Sequence, residues 1–371
     1  MCALNEVKGM WVYMKKYKIC VYAICKNEEK FVNRWVESMK EADDIYVLDT
    51  GSTDNTVEKL KELKINVNQK IIKPWRFDTA RNESLKLIPN EYDIYVCTDL
   101  DEIFVKGWRK KLEENWNENT TRARYTYNWK LDENNKPLVS FFSDKIHNKN
   151  YIWKHPVHEV LESNTKENII TIENIILNHY PDTNKSRSSY LPLLELSVKE
   201  DPLDDRNMHY LGREYMYYKK WNECIDTLIK HLSLKKATWK DERCASMRFI
   251  ARSYKNLNRY EEAKMWLKKA INEAPYLREP YIELGILEYS YNNFQSSIKF
   301  IEKGLKIKYH PKTYINEIFC YDETPYDILS ICYYNIKDFK KSLENVDIAL
   351  SINPNNERII NNKKIIKSLN T

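Results

Sequence analysis

The chain of 371 residues is long enough for two domains that each bury a core, and its 42% hydrophobic content excludes a disordered protein. Sixty Lys and Arg against 54 Asp and Glu leave a net charge of +6, without the recognition motif or concentrated basic stripe that a nucleic-acid partner requires. Charged residues interrupt every apolar run before the roughly 18 residues of a membrane span, and the N-terminus carries no signal-peptide pattern, so neither spanning nor secretion is expected.

From residue 18 short β-branched and aromatic runs alternate with helix-length segments. "KICVYAIC", "DIYVLD", "NVNQKIIKP" and "DIYVCTD" read as strands, with helices over about 28–41, over about 55–64 and from about 79. Strands separated by helices imply crossover connections and a mostly parallel sheet, whose ligands bind beyond the C-terminal strand edges. "RARYTYNW", "PLVSFF" and "IITIENIILNHY" read as further strands that close this domain over 17–183. The polar "DTNKSRSS" marks the boundary, a linker helix is expected over 184–203, and residues 204–371 read as helices only.

The helical half repeats itself. Trp221, Tyr260, Phe294 and Phe339 are each followed three positions later by a small residue, Cys224, Ala263, Ser297 or Ser342. Ala270, Gly304 and Ala349 follow the last three by ten positions, and Pro275 and Pro354 stand where the second helix of a unit should stop. Separations of 39, 34 and 45 residues bracket the period of about 34 of tetratricopeptide repeats. Residues 1–183 hold 28 basic and 29 acidic side chains, so the later part carries +7 and is expected to dock an acceptor or to pair two copies of the chain. The eight cysteines (2, 20, 25, 97, 224, 244, 320 and 332) form no CxxC pair, and several fall in apolar runs, which suggests a reducing, cytoplasmic compartment.

Four strand ends carry the chemistry. In "LDTGSTDNT" Gly51 suggests a turn that other residues dislike, Asp54 or Asn55 can cap the next helix, and Asp49 should point into the crevice to accept hydrogen bonds from a base or ribose. In "AICKNEE" Asn27 can cap a helix, leaving the Ala23–Cys25 backbone to line a base pocket. In "PWRFDTARNESL" Asp78 or Thr79 can cap the helix, placing Arg81 and Asn82 in its first turn, where Arg81 grips either a diphosphate or a neighbouring carboxylate. In "CTDLDE" Asp99, Asp101 and Glu102 crowd one strand end, and Mg²⁺ or Mn²⁺ held by Asp99 and Asp101 would relieve their repulsion. In "WKHPVHEV" His155, His158 and Glu159 lie between strands. His158 and Glu159 on an extended segment would point opposite ways, one toward the metal and one toward the acceptor as general base; His158 on the metal and Glu159 as base is one assignment, and the reverse is open.

In order and spacing these motifs resemble the family-2 inverting glycosyltransferases over residues 17–180. The resemblance implies a Rossmann-like GT-A fold, a nucleotide-diphosphate sugar donor such as a UDP-sugar, and donor contacts from Ala23, Cys25, Asn27, Asp49, Ser52, Asp54, Asp78, Arg81 and Asp99. Asp49 would lie by the base, Asp99 near the ribose or metal, and Asp101 would be the metal ligand. An attached tetratricopeptide-like domain further resembles bacterial peptide glycosyltransferases of the sublancin type, which implies transfer to a Cys or Ser of a bacteriocin precursor. Lipopolysaccharide-core and flagellar glycosyltransferases share the first half, so a glycan or flagellar acceptor is the alternative. The chain lacks the QxxRW run of processive members, which favours transfer of one or a few sugars. A non-catalytic repeat protein on a degenerate sugar-nucleotide fold would gain nothing from the crowded carboxylates, and a nucleotidyltransferase would show a Gly-rich loop where "CKNEE" stands.

Overall fold

A computed structural model describes residues 4–7, 10–13, 17–183 and 188–368. The chain divides into two compact units, residues 1–189 with 312–314, and residues 190–311 with 315–371.

In the first unit β1 (Leu4–Val7) and β2 (Met10–Tyr13) form an antiparallel hairpin. The elements that follow are β3 (Ile19–Cys25), α1 (Val32–Met39), β4 (Asp44–Asp49), α2 (Thr56–Glu62), β5 (Asn66–Gln69), α3 (Phe77–Leu85), β6 (Ile94–Cys97), β7 (Glu102–Phe104) and α4 (Trp108–Asn115). Five more strands complete the unit: β8 (Arg122–Leu131), β9 (Pro137–His147), β10 (Tyr151–Lys154), β11 (Val160–Ser163) and β12 (Ile169–His179). Eight strands form one sheet in the order β5-β4-β3-β6-β9-β8-β12-β7. The β5-β4-β3-β6 half is parallel, as is β8 with β12, whereas β9 runs antiparallel to both its neighbours and β7 to β12. All seven residues of β3 are buried, which is why it reads as an unbroken apolar run rather than an alternating one. α1 buries Val32, Trp35 and Met39, and the Trp35 indole donates to Thr98 Oγ1 at 3.0 Å, tying the helix to the end of β6.

Several expected boundaries move. α1 begins at Val32 rather than 28, because residues 26–31 make the turn that follows β3, and β5 ends at Gln69. α3 begins at Phe77, two residues early, so Arg81 sits past its first turn. β10 and β11 form a separate antiparallel hairpin, and residues 155–159 are its connection rather than an extended segment. His155 and His158 there have φ of 77° and 51°, so His158 and Glu159 do not alternate as they would on a strand.

The second unit contains α5 (Tyr190–Glu200), four helical hairpins and a closing helix. The hairpins are α6 (Asp205–Tyr217) with α7 (Trp221–Ser233), α8 (Lys240–Asn256) with α9 (Tyr260–Glu273), α10 (Glu279–Ser290) with α11 (Phe294–Lys306), and α12 (Thr324–Asn335) with α13 (Phe339–Ile352); α14 (Glu357–Ser368) follows. The four repeat aromatics are each the first residue of the second helix of a hairpin, and Cys224, Ala263, Ser297 and Ser342 are all fully buried. Close approach fixes the small residues: a Cβ on Gly212 would stand 2.3 Å from Leu228, and one on Gly285 would stand 2.3 Å from Ile301. The longest repeat spacing arises from the 307–323 connection, which holds a short 3₁₀ turn at Ile318–Cys320. The helix expected as a linker is α5, which packs on α6 within this unit, and the expected linker residues 184–187 lie outside the described residues. The seven cysteines among the described residues are free and buried, and Cys2 lies outside them. Among the described residues no helix is long and apolar enough to cross a membrane.

Candidate functional site

The first unit gathers its polar residues beyond the ends of β3, β4 and β6. Asp49 ends β4 and is fully buried. Its carboxylate accepts from the Gly51 and Ser52 amides at 3.1 Å, from the Ser52 hydroxyl and from Gln69 Nε2 at 3.4 Å. Gly51 has φ of 111°, a conformation that costs other residues, and it folds the loop back around Asp49.

Asn27 does not cap α1. With φ of 55° it turns toward the neighbouring loop, where its backbone N–H donates to Ser52 Oγ at 2.8 Å and its side-chain Oδ1 accepts from the Thr53 backbone N–H at 2.7 Å. Asp54 accepts from the Thr56 amide and hydroxyl at 3.0 and 2.5 Å and from the Glu29 amide at 3.2 Å, so it holds the first residue of α2, stands just before the N-cap residue Asn55, and ties the two loops together. Burial raises the Asp54 pKa, and these hydrogen bonds outweigh it and leave the carboxyl below its ordinary value. Asn55 donates instead to Glu29 Oε2. Asn27, Ser52 and Asp54 thus belong to one pair of adjoining turns, which start from the ends of β3, where Ala23 and Cys25 lie, and of β4, where Asp49 lies.

A second group surrounds Arg81. Asp78 is held by Arg76 through two hydrogen bonds of 3.0 and 2.8 Å. One turn on, the buried Arg81 donates to Asp99 Oδ1 at 2.7 Å, to Glu159 Oε1 at 3.0 Å and to Cys97 Sγ at 3.4 Å. Asn82 grips β10 by exchanging hydrogen bonds of 2.9 Å with the Trp153 backbone, and the Phe77 amide donates to Pro156 O at 3.0 Å. These bonds hold the 155–159 connection against α3 and deliver Glu159 to Arg81.

The crowded carboxylates face cations of the protein's own. Lys145 on β9 lies 3.3 Å from Asp99 Oδ2 and 3.7 Å from Glu102 Oε1, and Glu102 accepts from the Asp99 amide at 2.8 Å. Burial pushes the Asp99 pKa up, but Arg81 and Lys145 outweigh it and hold the carboxyl well below the usual range. Glu102, more deeply buried and facing Asp99 and Asp101, is raised by that burial.

Asp101 turns to a different partner. Its Oδ2 lies 3.4 Å from Nε2 of His179, the last residue of β12, and the His179 Nδ1 lies 3.0 Å from Trp129 O. Burial lowers the His179 pKa, and Asp101 outweighs it to raise the imidazole above its ordinary value. Asp99, Asp101 and His158 do not converge as a set of ligands. Among the described residues the single group of three or more His, Cys, Asp or Glu with ligand atoms within 4.8 Å of one another lies in the helical unit. Sequence reasoning missed Lys145 and His179. The available signals were a lysine beside the buried end of a strand and a histidine ending a strand, as Asp49 does.

Residues 20–169 match the family model described as glycosyl transferase family 2, and residues 249–276 match a tetratricopeptide repeat model. No curated protein matches the chain. Solved structures similar to it include the APC/C hetero-tetramer Cut9–Hcn1, at 12% identity over 49% of this chain with a TM-score of 0.40; this chain covers 33% of that one. MamA is 20% identical over 43% of this chain and 82% of its own, with a TM-score of 0.34. TTC0263, a tetratricopeptide repeat protein of Thermus thermophilus, is 14% identical over 48% of this chain and 89% of its own, with a TM-score of 0.35.

Proposed function

We propose that this chain, which carries a family-2 glycosyltransferase domain followed by tetratricopeptide-like helices, moves a sugar with inversion from a nucleotide-diphosphate sugar to a nucleophilic side chain of a peptide. The observation that carries the reading is the coincidence of that domain with Asp99 and Asp101 beyond the end of β6, one clamped by Arg81 and Lys145 and the other facing His179. Asp49, Asn27, Ser52 and Asp54 order the turns that would receive the nucleoside, and the Ala23–Cys25 backbone lines the same edge.

Mg²⁺ or Mn²⁺ would be held by the Asp101 carboxylate, a hard oxygen donor beyond the end of β6, together with water and the donor's phosphate oxygens. Bound there, the ion would supply positive charge to the departing diphosphate. Glu159 is held in place by Arg81 and is the proposed acceptor of the nucleophile's proton, while the Arg81 bridge fixes its distance from Asp99. A thiol acceptor eases this step, since free cysteine is already partly ionised near neutral pH and serine is not. The helical unit, with its positive excess, is proposed to dock the peptide in the cytoplasm. Incubation of the purified chain with a panel of nucleotide sugars and Mn²⁺ tests the reading. Slow release of the nucleotide diphosphate from one donor, accelerated by a Cys-containing peptide, is expected; no donor turnover with any nucleotide sugar overturns it.

A further inference from the structure

The turns between the helical hairpins hold out aromatic side chains. Tyr276 and Tyr309 each stand three residues past the last residue of a second helix, Glu273 of α9 and Lys306 of α11. The repeat thus brings them to matching places, with ring centroids 6.0 Å apart, edge to face. Trp239 occupies the N-cap of α8, a position that favours Ser, Thr, Asp or Asn, and its side chain makes no capping bond. Trp239, Tyr276 and Tyr309 are 42%, 40% and 54% exposed, and with Thr238, Lys240 and Asp241 they line a groove of about 720 Å³. We propose that this groove docks an extended, acidic segment of the peptide substrate, whose proline or aromatic side chains lie on the three rings and whose carboxylates meet the lysines around them.

Charge selects the occupant. Lys240 lines the groove, Lys235 and Lys236 are exposed in the turn that leads to Trp239, and Lys308 is exposed beside Tyr309. The lining carboxylate, Asp241, is buried and accepts the Tyr276 hydroxyl at 2.7 Å, which holds that ring in place and keeps the negative charge below the rim. An aromatic floor under a cationic rim complements a chain that alternates apolar anchors with carboxylates. Trp and Tyr rings lose little conformational entropy on contact, and grooves lined by them accept extended, proline-containing chains. A polyanion without apolar groups would leave the three rings uncovered. This docking deepens the proposed role of the helical unit, on which it rests, and it needs no nucleotide sugar.

Fluorescence anisotropy of the fluorescein-labelled peptide DELPFDELPF with the full-length chain, in the absence of nucleotide sugar, tests the groove apart from donor turnover. Saturable binding is expected, weakened about tenfold or more in the double variant Trp239→Ser with Tyr309→Ser. Lys236→Glu with Lys240→Glu should weaken it by a similar factor, as should about 0.5 M NaCl, because both remove the attraction of the rim. Ser at the N-cap and Glu in the first turn both suit α8, so these variants should keep the wild-type Tm. Tyr309→Ser alone, at the most exposed ring, decides should the double variant fail to fold. The charge-reversed peptide KKLPFKKLPF and the ring-free peptide DESGSDESGS should each bind about tenfold more weakly than the first. No binding by the wild type, equal binding by the folded ring variants, or equal binding of the charge-reversed peptide overturns the proposal. A heparin hexasaccharide that binds more tightly than the peptide also overturns it, and assigns the lysines to an anionic glycan instead.

Discussion

Each unit buries a network of opposite charges, and the two networks end differently. In the helical unit Arg248 donates to Glu283 Oε1 at 2.8 Å and to Ile315 O at 3.0 Å, while Arg252 reaches Glu283 at 2.8 Å and Glu317 at 2.6 Å. There the charges answer one another, and Glu283 is nearly sealed from water. In the first unit Arg81 and Lys145 neutralise Asp99, yet 35% of the Asp99 side chain stays exposed, and Asp101 faces His179 at the sheet edge. A network that closes on itself serves packing, whereas one that leaves an acceptor facing solvent is arranged for something outside the chain.

Arg81→Met sharpens that contrast most, because it strips the shared cation from Asp99 and Glu159 together. It should cost about 3–5 kcal/mol in chemical denaturation and also weaken UDP–Mn²⁺ binding measured by calorimetry. Unchanged UDP–Mn²⁺ affinity in a folded variant would make the two networks equivalent. Arg248→Met should cost about 3 kcal/mol, at the low end because Arg252 still faces Glu283, with no change in donor hydrolysis. Altered hydrolysis there would break the contrast from the other side.

His147 offers a pH test confined to the first unit. It is buried with Nε2 2.7 Å from the Tyr22 hydroxyl and Nδ1 2.6 Å from Asn148 O, and burial lowers its pKa to about 3. An unfolded histidine takes up its proton near pH 6.5 and the folded one does not, so the stability present above pH 6.5 is lost as pH falls toward 3. Between pH 6.5 and 4.5 the stability of the wild type relative to His147→Gln should fall by about 2.3 kcal/mol, read from denaturation midpoints at each pH. A constant difference would mean that the imidazole charges inside the fold. The smallest expected effect belongs to Asp338, whose carboxylate accepts from the Lys341 amide at 3.1 Å and caps α13. Asp338→Ala should cost about 1 kcal/mol and leave the first unit untouched, as separate melting of the two units would report.

The strand-helix alternation and the repeat aromatics were legible because periodicity and burial coincide: β3 is apolar throughout, and Trp221, Tyr260, Phe294 and Phe339 each open a helix. What escaped depended on contacts distant in sequence. Asn27 looks like a cap until Thr53 arrives from the next loop, and Lys145 acquires its meaning only when β9 pairs beside β6. Arg81 as a grip for a carboxylate was readable, but its sharing between Asp99 and Glu159 required the β10–β11 hairpin to pack on α3. His158 is interchangeable with Glu159 only while the connection is taken as extended.

The central claim is that Asp101 serves a donor rather than the fold. Donor hydrolysis by Asp101→Asn with saturating Mn²⁺, alongside its thermal midpoint, tests this most directly. A fall of about 100-fold or more at an unchanged Tm is expected, since the loss of leaving-group stabilisation costs about tenfold per 1.4 kcal/mol. Wild-type turnover in that variant would contradict the account.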